Sequence, residues 1–190
     1  MRTKRPIHSF MAIILAFVTV AVATTATEAQ EIARPGDVVS ITTALPMTGF
    51  EPGATFQAAI VLDIMEGYHL NGHATTDPTL IPTQLKLPKE SPVSWPYVRY
   101  PEDQVKPGES VPGLIDEQYH NQVIIRLVGR LPADAEPGDI RLEMQVYYQT
   151  CNESLCLMPI DKPFEFVIPV VAPGTEVKAT NEHIFGKPGG

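Results

Sequence analysis

The chain has almost no cysteine: Cys151 and Cys156 are the only two among 190 residues. They stand in a Cys-x4-Cys spacing, so thioredoxin-type chemistry, which needs C-x-x-C at a helix start to lower a thiol pKa, is absent. Haem attachment through C-x-x-C-H is absent too. Clusters of positive charge are also missing. With 14 Lys and Arg against 22 Asp and Glu the formal charge is -8, and no basic run could track a phosphate backbone, which argues against nucleic acid. The longest apolar run, residues 10–23, is shorter than the roughly 20 residues a membrane-crossing helix needs, and no later segment approaches it. Internal repeats are lacking. What the chain has in excess is proline, 19 residues, about twice the usual share of roughly 5%. An interior proline costs a helix about 3 kcal/mol, so long helices are not expected. A 44% hydrophobic and 19% charged composition suits one domain with one sizeable core.

Arg2, Lys4 and Arg5, then the apolar run, then small and polar residues follow the order of a secretory signal peptide. Ala21-Val22-Ala23 and Thr27-Glu28-Ala29 both fit a small-x-small cleavage site. The second places the signal peptide at residues 1–29 and the mature domain at 30–172. Neither site carries a cysteine for lipid attachment. Removal of residues 1–29 leaves 11 of the 14 basic and 21 of the 22 acidic residues, a charge of -10. The expected product is an exported acidic domain.

Ile140, Leu142, Met144, Val146 and Tyr148 alternate with Arg141, Glu143 and Gln145, the pattern of a half-buried strand. Comparable runs occupy residues 38–44, 55–64, 84–87, 93–98, 122–131 and 164–171, with a short one at 68–71. Pro-Gly pairs at 35–36, 52–53, 107–108, 112–113 and 137–138 punctuate them. Seven or eight such strands predict an all-β, immunoglobulin-like antiparallel β-sandwich. Residues 101–118 read as its longest loop, acidic and rich in Pro and Gly. Residues 173–190, polar and Gly-rich, read as a flexible C-terminal tail.

Cys151 and Cys156 follow the clearest strand directly. If residues 152–155 form a hairpin loop, the two thiols face each other within disulfide reach. Closing a six-residue ring stabilises a fold by only about 2 kcal/mol, which favours a redox role over a structural staple without excluding the staple. The pairing has a consequence for register. Cys151 opposite Cys156 would set inward Leu142 against outward Glu165 instead of Phe164 or Phe166, so a bulge or break is expected between Leu157 and Pro163. The same parity places Cys151 on the polar face with Tyr147 and Gln149. The only close charge, Glu153, raises a thiol pKa, so fast unaided reactivity is not expected. Leu155, Leu157 and Met158 give Cys156 an apolar collar on which a protein could dock.

Tyr148-Gln149-Thr150-Cys151, followed by Cys156 and Pro159, resembles the active-site hairpin of a known family, the N-terminal periplasmic domain of the thiol:disulfide interchange protein DsbD. Glu66-Gly67-Tyr68-His69-Leu70-Asn71 resembles that family's Gly-aromatic strand, and Leu80-Ile81-Pro82-Thr83-Gln84-Leu85 its Ile-Pro-Thr stretch. The likeness runs from about Val38 to Val171. It implies an immunoglobulin-like fold whose cysteine pair relays reducing equivalents between exported proteins, a thiol-disulfide oxidoreductase module of the protein-disulfide reductase type needing no cofactor. It implies that Cys156 forms the mixed disulfide and Cys151 resolves it. Tyr148, Gln149 and Tyr68 are then expected to line the site. The implied partners are thioredoxin-like or disulfide-isomerase-type thiol proteins, with a separate membrane electron donor because the chain stops at Gly190, acting on a monomer in the periplasm.

Two departures reshape the hairpin. Its spacer is one residue shorter than in the enteric form, and Met158 replaces the first of two prolines. The family's aromatic cap should fall within residues 106–119, where only Tyr119 is aromatic, so the cap does not carry over. The alternative on the same sandwich is a non-catalytic exported binding module with a structural hairpin disulfide. His69, His73 and His120, with Met65 and Met158, raise the question of a metal, but His-x3-His on a strand and loop does not aim both rings at one point as a helix does. No metal site is expected. Nor does anything tie His69 or His120 to a serine in a hydrolytic arrangement.

Overall fold

The alternation at residues 140–148 becomes the centre of an 11-residue strand, and the other apolar runs supply strands that pack against it. A computed structural model of the chain describes residues 33–102, 105–107 and 117–186; the expected signal peptide lies outside them. The strands are β1 (Val39–Ala44), β2 (Thr55–Ile64), β3 (His69–Asn71), β4 (Gln84–Lys86), β5 (Ser94–Arg99), β6 (Val105–Pro107), β7 (Glu117–His120), β8 (Gln122–Arg130), β9 (Gly138–Tyr148), β10 (Thr150–Cys151) and β11 (Ile160–Val170), followed by a single helical turn, α1 (Glu182–Phe185). All strand pairings are antiparallel.

Three sheets result. The first has the order β1-β2-β8-β5, the second β11-β9-β4, and a smaller one β10-β3-β7-β6. The first two supply the layers of the immunoglobulin-like sandwich. Their inward faces meet in one core: Phe56, Ala58, Ile60 and Leu62 from β2, Val123, Ile125 and Leu127 from β8, Leu142, Met144, Val146 and Tyr148 from β9, and Phe166 and Ile168 from β11. Trp95 of β5 spans the layers, set edge-on to Phe56 at 5.8 Å and to Phe166 at 5.7 Å between ring centroids. Proline is accommodated at the edges. Pro163 and Pro169 lie on β11, and Pro96 on β5 beside a register shift, and both are edge strands where a missing N–H leaves no ladder bond broken.

Two sequence expectations need correction. Residues 101–118 are not simply a loop, because β6 lies within them and β7 begins there, the two pairing with each other and β7 with β3. Polar, proline-broken strands of three and four residues carry no alternation to read. Asn121, at φ 60°, makes the turn that separates β7 from β8. Residues 173–186 are not a free tail either. Ala179 bridges to Met47, the Thr48 N–H donates to the Lys178 carbonyl at 2.9 Å, and the Thr180 N–H donates to the Pro46 carbonyl at 2.8 Å. Arg126, opposite Ala59 in the β2–β8 ladder, donates to the Ile184 carbonyl at 2.9 Å. That contact holds the C-terminal segment against the outer face of the first sheet, where Ala59 and Val61 are buried.

A candidate redox site on the hairpin after β9

β9 and β10 are one polypeptide run that changes sheets at Gln149. Residues up to Tyr148 pair with β11 and β4, while Thr150 and Cys151 pair with Leu70 and His69 of β3. The chain then turns through residues 152–155 and returns, so that Cys156 lies opposite Cys151 and the two form a disulfide. The flanking hydrogen bonds run from the Asn152 N–H to the Leu155 carbonyl at 2.9 Å and from the Leu157 N–H to the Thr150 carbonyl at 2.8 Å. The cysteines therefore occupy the non-hydrogen-bonded pair between them, where antiparallel backbones approach most closely, and their Cα atoms are 4.0 Å apart. The loop is braced from within. The Asn152 side-chain oxygen accepts the N–H groups of Ser154 and Leu155, both at 2.9 Å.

The expected register break is present. Had the cysteine register continued, Tyr148 would face Pro159; it faces Ile160, and from there Met144 meets Phe164 and Leu142 meets Phe166. The one-residue slip falls in residues 157–159, which belong to no strand. The Gln149 side-chain amide donates to the Leu157 carbonyl at 3.1 Å and so anchors that irregular stretch.

The parity expectation for Cys151 holds for direction and fails for exposure. Tyr148 and Thr150 are buried on the core side with Gln149 half-buried between them, and Cys151 lies on the face opposite Thr150, yet it too is buried, to 3% exposure. Cys156 is exposed. The disulfide thus has one inaccessible and one accessible end. Around the accessible end, Leu155 is 38% and Met158 76% exposed, whereas Leu157 turns into the core and is not part of the collar.

Of the residues expected to line the site, Gln149 braces the hairpin as described. Tyr148 is a wholly buried core residue, with its hydroxyl donating to the Pro35 carbonyl at 3.3 Å and its pKa pushed up to about 12 by burial. Tyr68 is half-buried against the core and closes the turn before β3, its N–H donating to the Met65 carbonyl at 3.1 Å. Gly67 makes that turn at φ 82°, which a side chain would resist. Tyr119, the aromatic considered for a cap, is 1% exposed in the core; its hydroxyl accepts the His73 N–H at 3.2 Å, and burial again pushes its pKa to about 12. Residues 108–116, where the rest of a cap would fall, lie outside the described residues.

The residue that sequence reading missed is His69. It is the cross-strand neighbour of Cys151 on one side and of His120 on the other, with the two imidazole centroids 5.4 Å apart. His73 is elsewhere, stacked on Tyr100 at 3.5 Å with its Nδ1 2.9 Å from the Thr83 carbonyl, so the three histidines do not converge. Among the described residues no group of three or more His, Cys, Asp or Glu could hold a metal ion.

Fold and site together define an immunoglobulin-like domain whose hairpin disulfide joins a buried cysteine to an exposed one. No protein-family profile and no curated protein matches the chain. Among solved structures, it is similar to the N-terminal domain of DsbD from Neisseria meningitidis in the reduced form, with a TM-score of 0.42 and 16% identity over 80% of this chain and 98% of that one. Among the described residues no helix is long and apolar enough to cross a membrane.

Proposed function

We propose that the protein is a periplasmic thiol:disulfide interchange domain of the DsbD N-terminal type, passing reducing equivalents between exported protein partners through Cys151 and Cys156. The observation that carries this reading is the asymmetry of the bond: Cys151 is buried, whereas Cys156, opposite it on the hairpin, is exposed and flanked by the exposed Leu155 and Met158. A structural staple gains nothing from an exposed sulfur in an apolar surround. An exchange site needs both, because the attacking thiolate must approach along the S–S axis and its protein must rest on something. The hairpin motif Tyr148-Gln149-Thr150-Cys151 with Cys156 and Pro159 supports the same reading from sequence.

In this mechanism a partner thiolate attacks Cys156 Sγ, the bond to Cys151 breaks, and Cys151 leaves with the electron pair. A second partner thiol then releases the mixed disulfide, so the domain ends reduced and the partner oxidised. The return step runs in reverse, with Cys151 resolving the adduct on Cys156. Thiol trapping in the exporting cell tests this. In Cys151→Ser the exposed thiol lacks its resolving partner, and mixed disulfides with other proteins accumulate; in Cys156→Ser they do not. Absence of adducts from both variants, with a wild-type bond that resists millimolar thiol buffer, would favour the binding module with a structural disulfide. Adducts confined to Cys156→Ser would keep the function and exchange the two roles.

A further inference from the structure

Cys156, Cys151, His69 and His120 form a continuous row across the hairpin, β10, β3 and β7, each directly opposite the next. In antiparallel pairing, directly opposed residues project from the same face with Cβ atoms roughly 4.5–5.5 Å apart. The other face of this small sheet carries Thr150, Leu70 and Tyr119, all buried in the core direction. The row of cysteines and histidines is therefore the outer face, and both imidazoles are half-buried there. His120 Nε2 lies 3.2 Å from the Gln118 side-chain oxygen.

We propose that His69, backed by His120, is the proton partner of Cys151, lowering its pKa and so making it the better leaving group and the ready resolving thiolate. The proposal rests on the exchange function above and assigns a group to its least accessible atom. When a partner thiolate bonds to Cys156 Sγ, the electron pair of the broken S–S bond arrives on Cys151 Sγ, which burial alone would leave a poor thiolate. The His69 imidazolium beside it stabilises that charge as a thiolate–imidazolium pair. In the resolving direction the Cys151 thiolate, held in that pair, attacks Cys156 Sγ, and the partner departs as thiolate. A leaving thiol of lower pKa leaves faster, so the effect falls on the breaking bond. Among the described residues, His69 stands opposite Cys151 of β10 and His120 of β7 and shares its face with Asn71 of its own strand. The charged residues in the adjoining turns, Glu66 before β3 and Glu153 in the hairpin, are both exposed.

The test uses Cys156→Ser, in which Cys151 is the only thiol, and follows thiolate absorbance in the ultraviolet against pH. Adding His69→Gln is expected to raise the Cys151 midpoint by about one unit, the scale of one nearby opposite charge. His69→Lys, which restores a cation without a titration near neutrality, should bring the midpoint back down. In the otherwise wild-type protein carrying glutathione on Cys156, His69→Gln should slow glutathione release at pH 7 about threefold. Tenfold less thiolate is partly offset there by its greater intrinsic nucleophilicity. A midpoint and release rate unmoved by His69→Gln would overturn the proposal. Should that variant lose its β-sheet circular dichroism, His120→Gln gives the same readouts with an expected rise of about half a unit, and no rise there would overturn it equally. The midpoint requires no protein partner. Failure to trap partners would therefore strike at the exchange function, while an unmoved midpoint would strike only at His69.

Discussion

Asn152 is where the shape of the hairpin and the redox behaviour of its disulfide can be separated from the stability of the sandwich. Its side-chain oxygen accepts two loop N–H groups, from Ser154 and Leu155, each at 2.9 Å, and both residues are exposed. Asn152→Ala removes both bonds. A typical intramolecular hydrogen bond contributes about 1 kcal/mol net, and at a solvent-exposed loop water replaces part of that, so the pair is worth about 1 kcal/mol. This energy holds Cys156 opposite Cys151 after reduction, when the covalent link no longer does. Without it the reduced hairpin gains freedom and the oxidised one, still closed by its S–S bond, gains little. The disulfide should become easier to reduce. For a two-electron couple 1.4 kcal/mol corresponds to about 30 mV, so the midpoint potential should move about 20 mV in the positive direction. The assay is equilibration with glutathione redox buffers followed by alkylation and counting of free thiols, with circular dichroism to confirm an intact sandwich. A potential that is unchanged or more negative would refute the argument that the loop lock preorganises the thiols.

Other expectations follow from packing and titration. A Cβ on Gly129 would lie 2.5 Å from Phe56 Cζ and 2.9 Å from the Trp95 ring, so Gly129→Ala should lower unfolding free energy by about 1–3 kcal/mol, seen as a lower urea midpoint with unchanged slope. A Cβ on Gly72 would lie 2.8 Å from the Glu117 carbonyl oxygen; Gly72→Ala should loosen β3 from β7 and change glutathione exchange at the disulfide more than it changes overall stability. Tyr119 and Tyr148 ionise near 12 in the folded state because burial disfavours the phenolate. The unfolded chain releases those protons near 10, so stability should be intact below pH 10 and fall between about pH 10 and 12. Burial raises the Tyr100 pKa as well, so spectrophotometric titration of native protein should show three of the six tyrosines delayed, Tyr119 and Tyr148 among them.

The strands that bury one face were legible because their period of two survives in the sequence: residues 55–64 coincide with β2, and residues 122–131 overrun β8 by one. The register break was legible as well, since Cys151 opposite Cys156 and Leu142 opposite Phe166 are incompatible parities in one ladder. What could not be read was anything set by pairing between distant segments. β3, β6 and β7 are three or four residues long and polar, and their alignment, which brings His69 to Cys151 and His120 to His69, is fixed by the sheet and not by local preference. The burial of Cys151 was illegible for the same reason: alternation gives the face on which it lies, opposite Thr150, but not how far that face is covered. The docking of residues 173–186 rests on backbone and short polar side-chain bonds, Thr180 and Asn181 both donating to the Leu45 carbonyl, which leave no apolar pattern behind.

The central claim is that an incoming thiolate meets Cys156 and expels Cys151. It is tested most directly by exposing the oxidised wild-type protein to reduced glutathione, quenching with acid, alkylating free thiols and cutting after Glu153, the glutamate between the two cysteines. Mass spectrometry of the two peptides then reports each sulfur separately. The account predicts early adducts with glutathione on the peptide of Cys156 and the alkyl group on that of Cys151. Glutathione found first on Cys151, or spread equally over both, would contradict it.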